Sequence, residues 1–273
     1  MHQIDIEVGP LTFDARIDGP GDGEPVLLLH GFPQTSLAWR DQIAALAAAG
    51  YRACAFDQRG YSPRARPVDL DAYRTRELTA DVVGVADALG FARFHLVGHD
   101  WGGVVAWQVG GRHADRLRTL TVISTPHPAA LRQAMSGGLG GDQAERSGYM
   151  QMFREPDAQD RFLADDAQFF RLLFAASGMP EGRGEPYVEA LGTSEALGAA
   201  LNWYRAAELT SSEGLGPITV PTMYVWSTED PALGREAAEA TAAFVEGPYR
   251  FEVLDGVSHW VPDHAPDRLN DLL

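Results

Sequence analysis

Only one of the 273 residues is cysteine, so no disulfide can form within the chain. Cys54 sits in the strand-like Tyr51-Arg-Ala-Cys-Ala-Phe56 and reads as a buried structural thiol, which fits a reducing cytoplasm. Long apolar runs are missing too. Nothing approaches the roughly 20 residues that span a bilayer, and the N-terminus, Met1-His-Gln-Ile-Asp-Ile-Glu7, is mixed and acidic, so we expect a soluble, unprocessed protein. Positive charge is scarce: 22 Lys and Arg stand against 38 Asp and Glu, and the formal charge of −16 repels nucleic acid and anionic membranes. No zinc signature exists, because His95 and His99, four apart, lie across a strand and its turn and not on a helix face.

What is present is an alternation of strands and helices in a chain long enough for one large α/β domain with an insertion. Residues 4–8 and 11–17 alternate apolar and polar positions around Gly9-Pro10, as an antiparallel hairpin at a sheet edge does. Buried strands are expected over 25–29, 52–56, 94–98, 117–124, 221–226 and 249–254. Helices are expected over 36–49, 75–89, 104–109, 234–244 and from Ala265. This order predicts a mostly parallel sheet covered on both faces, with right-handed crossovers. From about 129 to 214 the pattern changes to helices only, clearest over 161–176 and 195–207, and we read a helical cap inserted between two strands. Nine aromatics and four of the six methionines fall there, which suits an adaptable apolar pocket wall as well as plain packing.

The chemistry centres on Phe94-His-Leu-Val-Gly-His-Asp-Trp-Gly-Gly103, a strand, a sharp turn and the start of a helix. Gly98-x-Asp100-x-Gly102 has the layout of a nucleophile elbow, with aspartate where serine usually stands. A serine attacking an sp3 carbon would leave an ether that activated water cannot cleave. A carboxylate leaves an ester, whose carbonyl water can attack, so Asp100 suits the opening of C–O or C–halogen bonds. Asp100 could otherwise serve only to cap the following helix.

Ligands of such sheets bind at the carboxyl ends of the strands. Four polar loops fall there: His30-Gly31, Asp100, Glu229-Asp230 and Ser258-His259-Trp260. The chain order nucleophile, acid, histidine is that of an α/β-hydrolase triad. His259 is the candidate base. The loop Trp226-Ser-Thr-Glu-Asp-Pro231 offers Glu229 and Asp230 as the acid, Ser124-Thr-Pro-His127 offers no carboxylate, and we take Asp230.

Across essentially its whole length the chain resembles an epoxide hydrolase of the α/β-hydrolase fold, close also to the haloalkane and haloacid dehalogenases. The pieces that carry the likeness are His30-Gly-Phe-Pro33, Asp57-x-Arg-Gly-Tyr-Ser62, Gly98-His-Asp-Trp-Gly-Gly103, the Asp230 loop and Gly256-Val-Ser-His-Trp260. The resemblance implies a mostly parallel eight-stranded sheet with helices on both faces, core segments 1–128 and 216–273, and a cap over 129–215. It implies an oxyanion hole from the Phe32 and Trp101 amides, and a cis peptide before Pro33. Tyr149, in Tyr-Met-Gln-Met-Phe-Arg154, and Tyr204, in Asn-Trp-Tyr-Arg205, match the segments that carry the paired acid tyrosines of that family. The implied reaction takes a small apolar epoxide and water, needs no cofactor or metal, and runs in a monomer or homodimer.

Haloalkane dehalogenase is the alternative. Trp101 is shared with that family, where the indole N–H holds the halide, but Phe32 stands where a second donor, often Asn, is needed. Haloacid dehalogenases place arginines at the positions of Trp101 and Val104, so a small anionic acid would meet no clamp here. A non-catalytic binder on the same fold is the third reading.

Overall fold

The computed structural model describes residues 1–206, 211–212 and 214–273. Eight strands among them form one sheet in the order β1-β2-β4-β3-β5-β6-β7-β8. The strands are β1 (His2–Val8), β2 (Leu11–Asp18), β3 (Glu24–Leu29), β4 (Tyr51–Phe56), β5 (Phe94–His99), β6 (Leu117–Ile123), β7 (Thr222–Glu229) and β8 (Tyr249–Ser258). The hairpin β1–β2 and the pair β2–β4 are antiparallel, and every later pair is parallel.

Helices α1 (Arg40–Ala48), α2 (Thr75–Ala88) and α3 (Trp101–Arg112) follow β3, β4 and β5. Between β6 and β7 come α4 (Pro128–Met135), α5 (Gln143–Arg146), α6 (Tyr149–Arg154), α7 (Ala158–Ala176), α8 (Glu185–Ala190) and α9 (Ser194–Ala206). Three more, α10 (Arg235–Ala240), α11 (Val261–His264) and α12 (Pro266–Asn270), complete the chain. Among the described residues no helix is long and apolar enough to cross a membrane.

The central strands are apolar runs because both of their faces are covered. In β3, Leu27 and Leu29 enter one core with Phe94, Leu96, Val82 and Trp107, while Val26 and Leu28 enter a second with Trp39, Ile43, Val97 and Val225. The chain leaves β3 toward β4 on one side and places β5 on the other. That reversal opens a crevice at the carboxyl ends of β3 and β5, where loops from both strands meet.

The elements differ from expectation mainly at their ends. The stretch from Ser36 opens as a 3-10 turn, Ser36–Trp39, because the Thr35 hydroxyl accepts from the Leu37 amide and tightens the entry before α1 begins. The helix expected over 234–244 is α10 followed by a second 3-10 turn, Thr241–Phe244. In α7 the backbone breaks at Ala164, Asp165, Asp166 and Ala167. Strand β8 runs past Leu254 to Ser258, since Gly256 at φ +69 lets the chain rejoin β7, with Glu229 opposite Ser258 after a register shift. The helix expected to reach Ala207 is described to Ala206, and Ala207 lies outside the described residues.

The elbow between β5 and α3 holds Asp100 at φ +53, ψ −122, a conformation costly for any residue with a side chain. Its carbonyl accepts from the Gly103 and Val104 amides at 2.8 and 3.1 Å and from the Thr125 hydroxyl at 2.7 Å, which offsets the strain. Close approach is permitted by glycine. A Cβ on Gly102 would lie 2.2 Å from the Leu29 carbonyl oxygen, and one on Gly31 would lie 2.3 Å from the Asp100 side chain. Gly102→Ala should therefore lower stability by about 1–3 kcal/mol, read as a lower urea midpoint at unchanged m-value. Gly21→Ala, where an added Cβ meets nothing within 4 Å, is the control and should change stability by less than about 0.5 kcal/mol.

Candidate active site

Asp100 stands at the end of β5 with its two carboxylate oxygens in different surroundings. Oδ1 accepts from the Phe32 amide at 2.8 Å, and the Trp101 amide also donates to the carboxylate. Oδ2 faces His259 Nε2 at 3.6 Å. His259 follows the last residue of β8, and its Nδ1 lies 2.8 Å from Asp230 Oδ2. The other oxygen of Asp230 accepts from the Ala232 and Leu233 amides at 2.8 and 3.0 Å. Of the two acids in that loop, Asp230 turns inward and is buried, while Glu229 ends β7 exposed to solvent. The Phe32-Pro33 peptide is cis.

Electrostatics in this row follow from burial opposed by pairing. Burial acts most strongly on His259 and disfavours its charge, yet the Asp230 and Asp100 carboxylates on either side together raise its pKa to about 10. For Asp100 burial pushes upward, and His259 beside it, His99 and the Trp101 amide bring the carboxyl below its ordinary range. His259 is therefore an imidazolium beside the Asp100 carboxylate at neutral pH.

A cavity of about 250 Å³ opens over Asp100 and His259. Its walls are mostly apolar, with Phe32, Phe153, Leu173 and Trp260 among them. The polar exceptions include the hydroxyls of Tyr149 on α6 and Tyr204 on α9, two helices joined where the Arg154 guanidinium donates to the Tyr204 carbonyl at 3.0 Å. The two tyrosine rings are 6.5 Å apart, and the Trp101 ring meets Tyr204 edge-on at 5.0 Å. Burial first keeps both hydroxyls protonated well above the usual tyrosine range; next comes the Asp100 charge for Tyr149, and for Tyr204 the neighbouring Tyr149 and then Asp100. Ser177, also on the wall, is engaged already: it donates to the Leu173 carbonyl at 2.6 Å and accepts from the Trp260 indole at 2.9 Å. Every residue singled out from the sequence for this site thus lies at one cavity: Asp100, His259, Tyr149, Tyr204 and Phe32 line it, and Asp230 and Trp101 touch the lining.

The sequence placed the His30 loop at this end of the sheet, but the hydrogen bonds that support the site were not anticipated. His30 is buried and neutral, because Gln58 N–H can only donate to its Nε2, at 3.1 Å, which leaves Nδ1–H for the Gly31 carbonyl at 3.0 Å. Burial likewise drives the pKa of His99 down to about 4, with the charge of His259 adding to it. Nε2 of His99 lies 2.8 Å from the His259 carbonyl, and its Nδ1 lies 3.0 Å from Gln34 Oε1. Gln34 in turn donates to buried Asp263, which also accepts from Tyr187 at 2.7 Å and Arg40 at 2.7 Å. In Asp57-x-Arg-Gly-Tyr-Ser62, Arg59 pairs bidentately with Asp81 of α2 at 2.7 and 2.6 Å and pins the loop that carries Gln58. Among the described residues no group of three or more His, Cys, Asp or Glu could hold a metal ion.

Residues 24–266 match the model of the alpha/beta hydrolase fold family. The chain is 33% identical to Epoxide hydrolase A of Mycobacterium tuberculosis over 92% of its own length and 90% of that protein. It is 31% identical to Epoxide hydrolase 4 of Mus musculus, over 92% of this chain and 72% of the relative. Among solved structures it is similar to Epoxide Hydrolase A from Mycobacterium thermoresistibile, with TM-score 0.84, 27% identity, and 99% and 96% of the two chains covered.

The raised pKa of His259 has a consequence for stability. A group whose pKa rises on folding contributes stability in full below its unfolded value, about 6.5, and loses it as pH climbs through the folded value. For His259 that window ends at about 10. The Tm of the wild type should fall between pH 7 and 10 more steeply than that of His259→Gln, measured by calorimetry in matched buffers. Equal slopes would mean that His259 is neutral in the folded protein.

Proposed function

The chain belongs to the alpha/beta hydrolase fold family, and from that membership we propose that it is an epoxide hydrolase, opening a small apolar epoxide to a vicinal diol through an ester on Asp100. The observation that carries this reading is a carboxylate at the elbow, with the Phe32 amide on its Oδ1, the Trp101 amide also donating to it, an imidazolium beside its Oδ2 and two tyrosines lining the same apolar cavity.

On this route Asp100 Oδ2 attacks a ring carbon from behind, the C–O bond on the opposite side breaks, and the oxygen takes a proton from the Tyr149 and Tyr204 pair. As the ester forms, the Asp100 charge that adds to the effect of burial on both hydroxyls is lost, while negative charge develops on the epoxide oxygen that takes the tyrosine proton. The ester no longer supports a charged His259, whose pKa falls, and the proton it releases replaces the one the tyrosines gave. Neutral His259, oriented by Asp230, then takes a proton from water as the hydroxide adds to the ester carbonyl. The Phe32 and Trp101 amides stabilise the tetrahedral oxyanion. Collapse breaks the acyl–oxygen bond, the carboxyl proton passes to the departing alkoxide, and the diol leaves with Asp100 again a carboxylate.

We read segments 1–128 and 216–273 as the catalytic core and 129–215 as a lid whose aromatics shape the pocket. Ser177 is already engaged and adds no free donor to the largely apolar wall, which favours apolar substituents on the epoxide. The lone cysteine, Cys54, is buried and suits the cytoplasm as the setting, with the protein acting as a monomer or homodimer.

Three variants test this. Asp100→Ala should abolish diol formation from an aryl epoxide, and Tyr149→Phe or Tyr204→Phe should each slow ring opening by about 10- to 100-fold in pre-steady-state kinetics. Diol formation surviving Asp100→Ala sinks the covalent route. Turnover of a bromoalkane in place of the epoxide moves the protein to the haloalkane dehalogenases.

A further inference from the structure

The helical insertion contains a buried polar side chain with no part in the chemistry above. Gln143 opens α5 and is 1% exposed. Its Nε2 donates to the Ala232 carbonyl and to the Ser147 hydroxyl, both at 2.9 Å, and its Oε1 accepts from the Gly234 amide at 2.8 Å. Ala232 and Gly234 belong to the turn after Asp230, the same turn whose Ala232 and Leu233 amides hold Asp230 Oδ1. Arg146, one helical turn beyond Gln143, donates to the Asp230 carbonyl at 2.9 Å.

These contacts form a chain of constraint. A carboxylate held by two amides is only as well aimed as the peptides that carry them, and a peptide that tips by tens of degrees takes its N–H off the acceptor. The Ala232 carbonyl belongs to the same peptide as the Leu233 amide and the Gly234 amide to the peptide that follows, and one glutamine amide binds both, donor to one and acceptor to the other. Trp226 adds a bond from its indole to the Leu233 carbonyl at 2.9 Å. Gln143 lies outside the sheet that carries the row, so the acid is aligned from the insertion.

We propose, resting on the epoxide hydrolase reading, that Gln143 is a positioning residue for the acid–base pair: it holds the turn that keeps Asp230 Oδ2 in line with His259 Nδ1. Its role falls on the ester-hydrolysis step, where His259 must act as base, and not on ring opening, which uses Asp100 and the tyrosines.

Gln143→Met keeps the length of the side chain and removes all three hydrogen bonds. Gln143→Glu keeps an acceptor for the Gly234 amide and loses the donor to the Ala232 carbonyl. Both are followed in single turnover with an aryl epoxide, ester formation and decay being read by rapid quench and intact mass from pH 6 to 10. Ester decay should slow about tenfold in Gln143→Met while ester formation changes less than about twofold. The rising limb of decay against pH should move to lower pH, because a less well aimed Asp230 supports the His259 cation less. Gln143→Glu should slow ester decay likewise and gives that readout if the Met variant does not fold, while its added carboxylate opposes the shift of the limb, which is therefore read in Gln143→Met. Parallel loss of both steps, or an unmoved limb with only a lower Tm, overturns the role and leaves Gln143 as packing. Absence of an Asp100 ester in the wild type itself overturns the epoxide hydrolase reading, whereas a wild-type ester that decays unchanged in the variants overturns only the role of Gln143.

Discussion

Three ionisable side chains, Asp100, His259 and Asp230, share the buried carboxyl edge of the sheet, and the charge of the His259 imidazolium depends on the carboxylates on either side. Asp230 is fully buried and His259 nearly so, and desolvation alone would neutralise the imidazole. Two carboxylates around one imidazole offset that cost, and removing the imidazole leaves the two acids without a cation between them in a dry place. The arrangement also times the proposed chemistry. Alkylation cancels one of the two carboxylates, so the base is released when the ester that needs it exists.

The fold supplies this row through strand order and close contact. Reversal between β3 and β5 puts the His30 loop beside the elbow, and Gly31 and Gly102 allow main chains to approach within distances that a methyl group would forbid. Around the row, polar groups fully occupied by one another hold the loops. Arg59 and Asp81 secure the Gln58 loop, and Asp263 gathers Gln34, Tyr187 and Arg40 behind His99. The insertion contributes from two sides: Gln143 and Arg146 reach the Asp230 turn, while Gly178 accepts from the Ser258 hydroxyl and Ser177 from the Trp260 indole next to His259.

Much of this could be read in the sequence where the signal is local. The apolar runs in β3 to β6 and the glycines around Asp100 each carry their meaning within a few residues, and chain order then placed His259 and the Asp230 loop beside them. Ends of elements were less legible, because a tertiary contact decides them: β8 continues through Gly256 only because Glu229 waits opposite Ser258. The supporting network was invisible for the same reason. Gln34 and Asp263 are 229 residues apart, and Gln143 sits in a Gly-rich stretch of the helical insertion that says nothing of its partners at 232 and 234.

The covalent ester on Asp100 is the central claim, and the intact mass of His259→Gln after separate incubation with an aryl epoxide and a terminal bromoalkane tests it most directly. The epoxide alone should add its full mass and the adduct should map to the peptide containing Asp100, since the variant can alkylate but lacks the base that hydrolyses the ester. An adduct from the bromoalkane alone, or an epoxide adduct on any other residue, would contradict it.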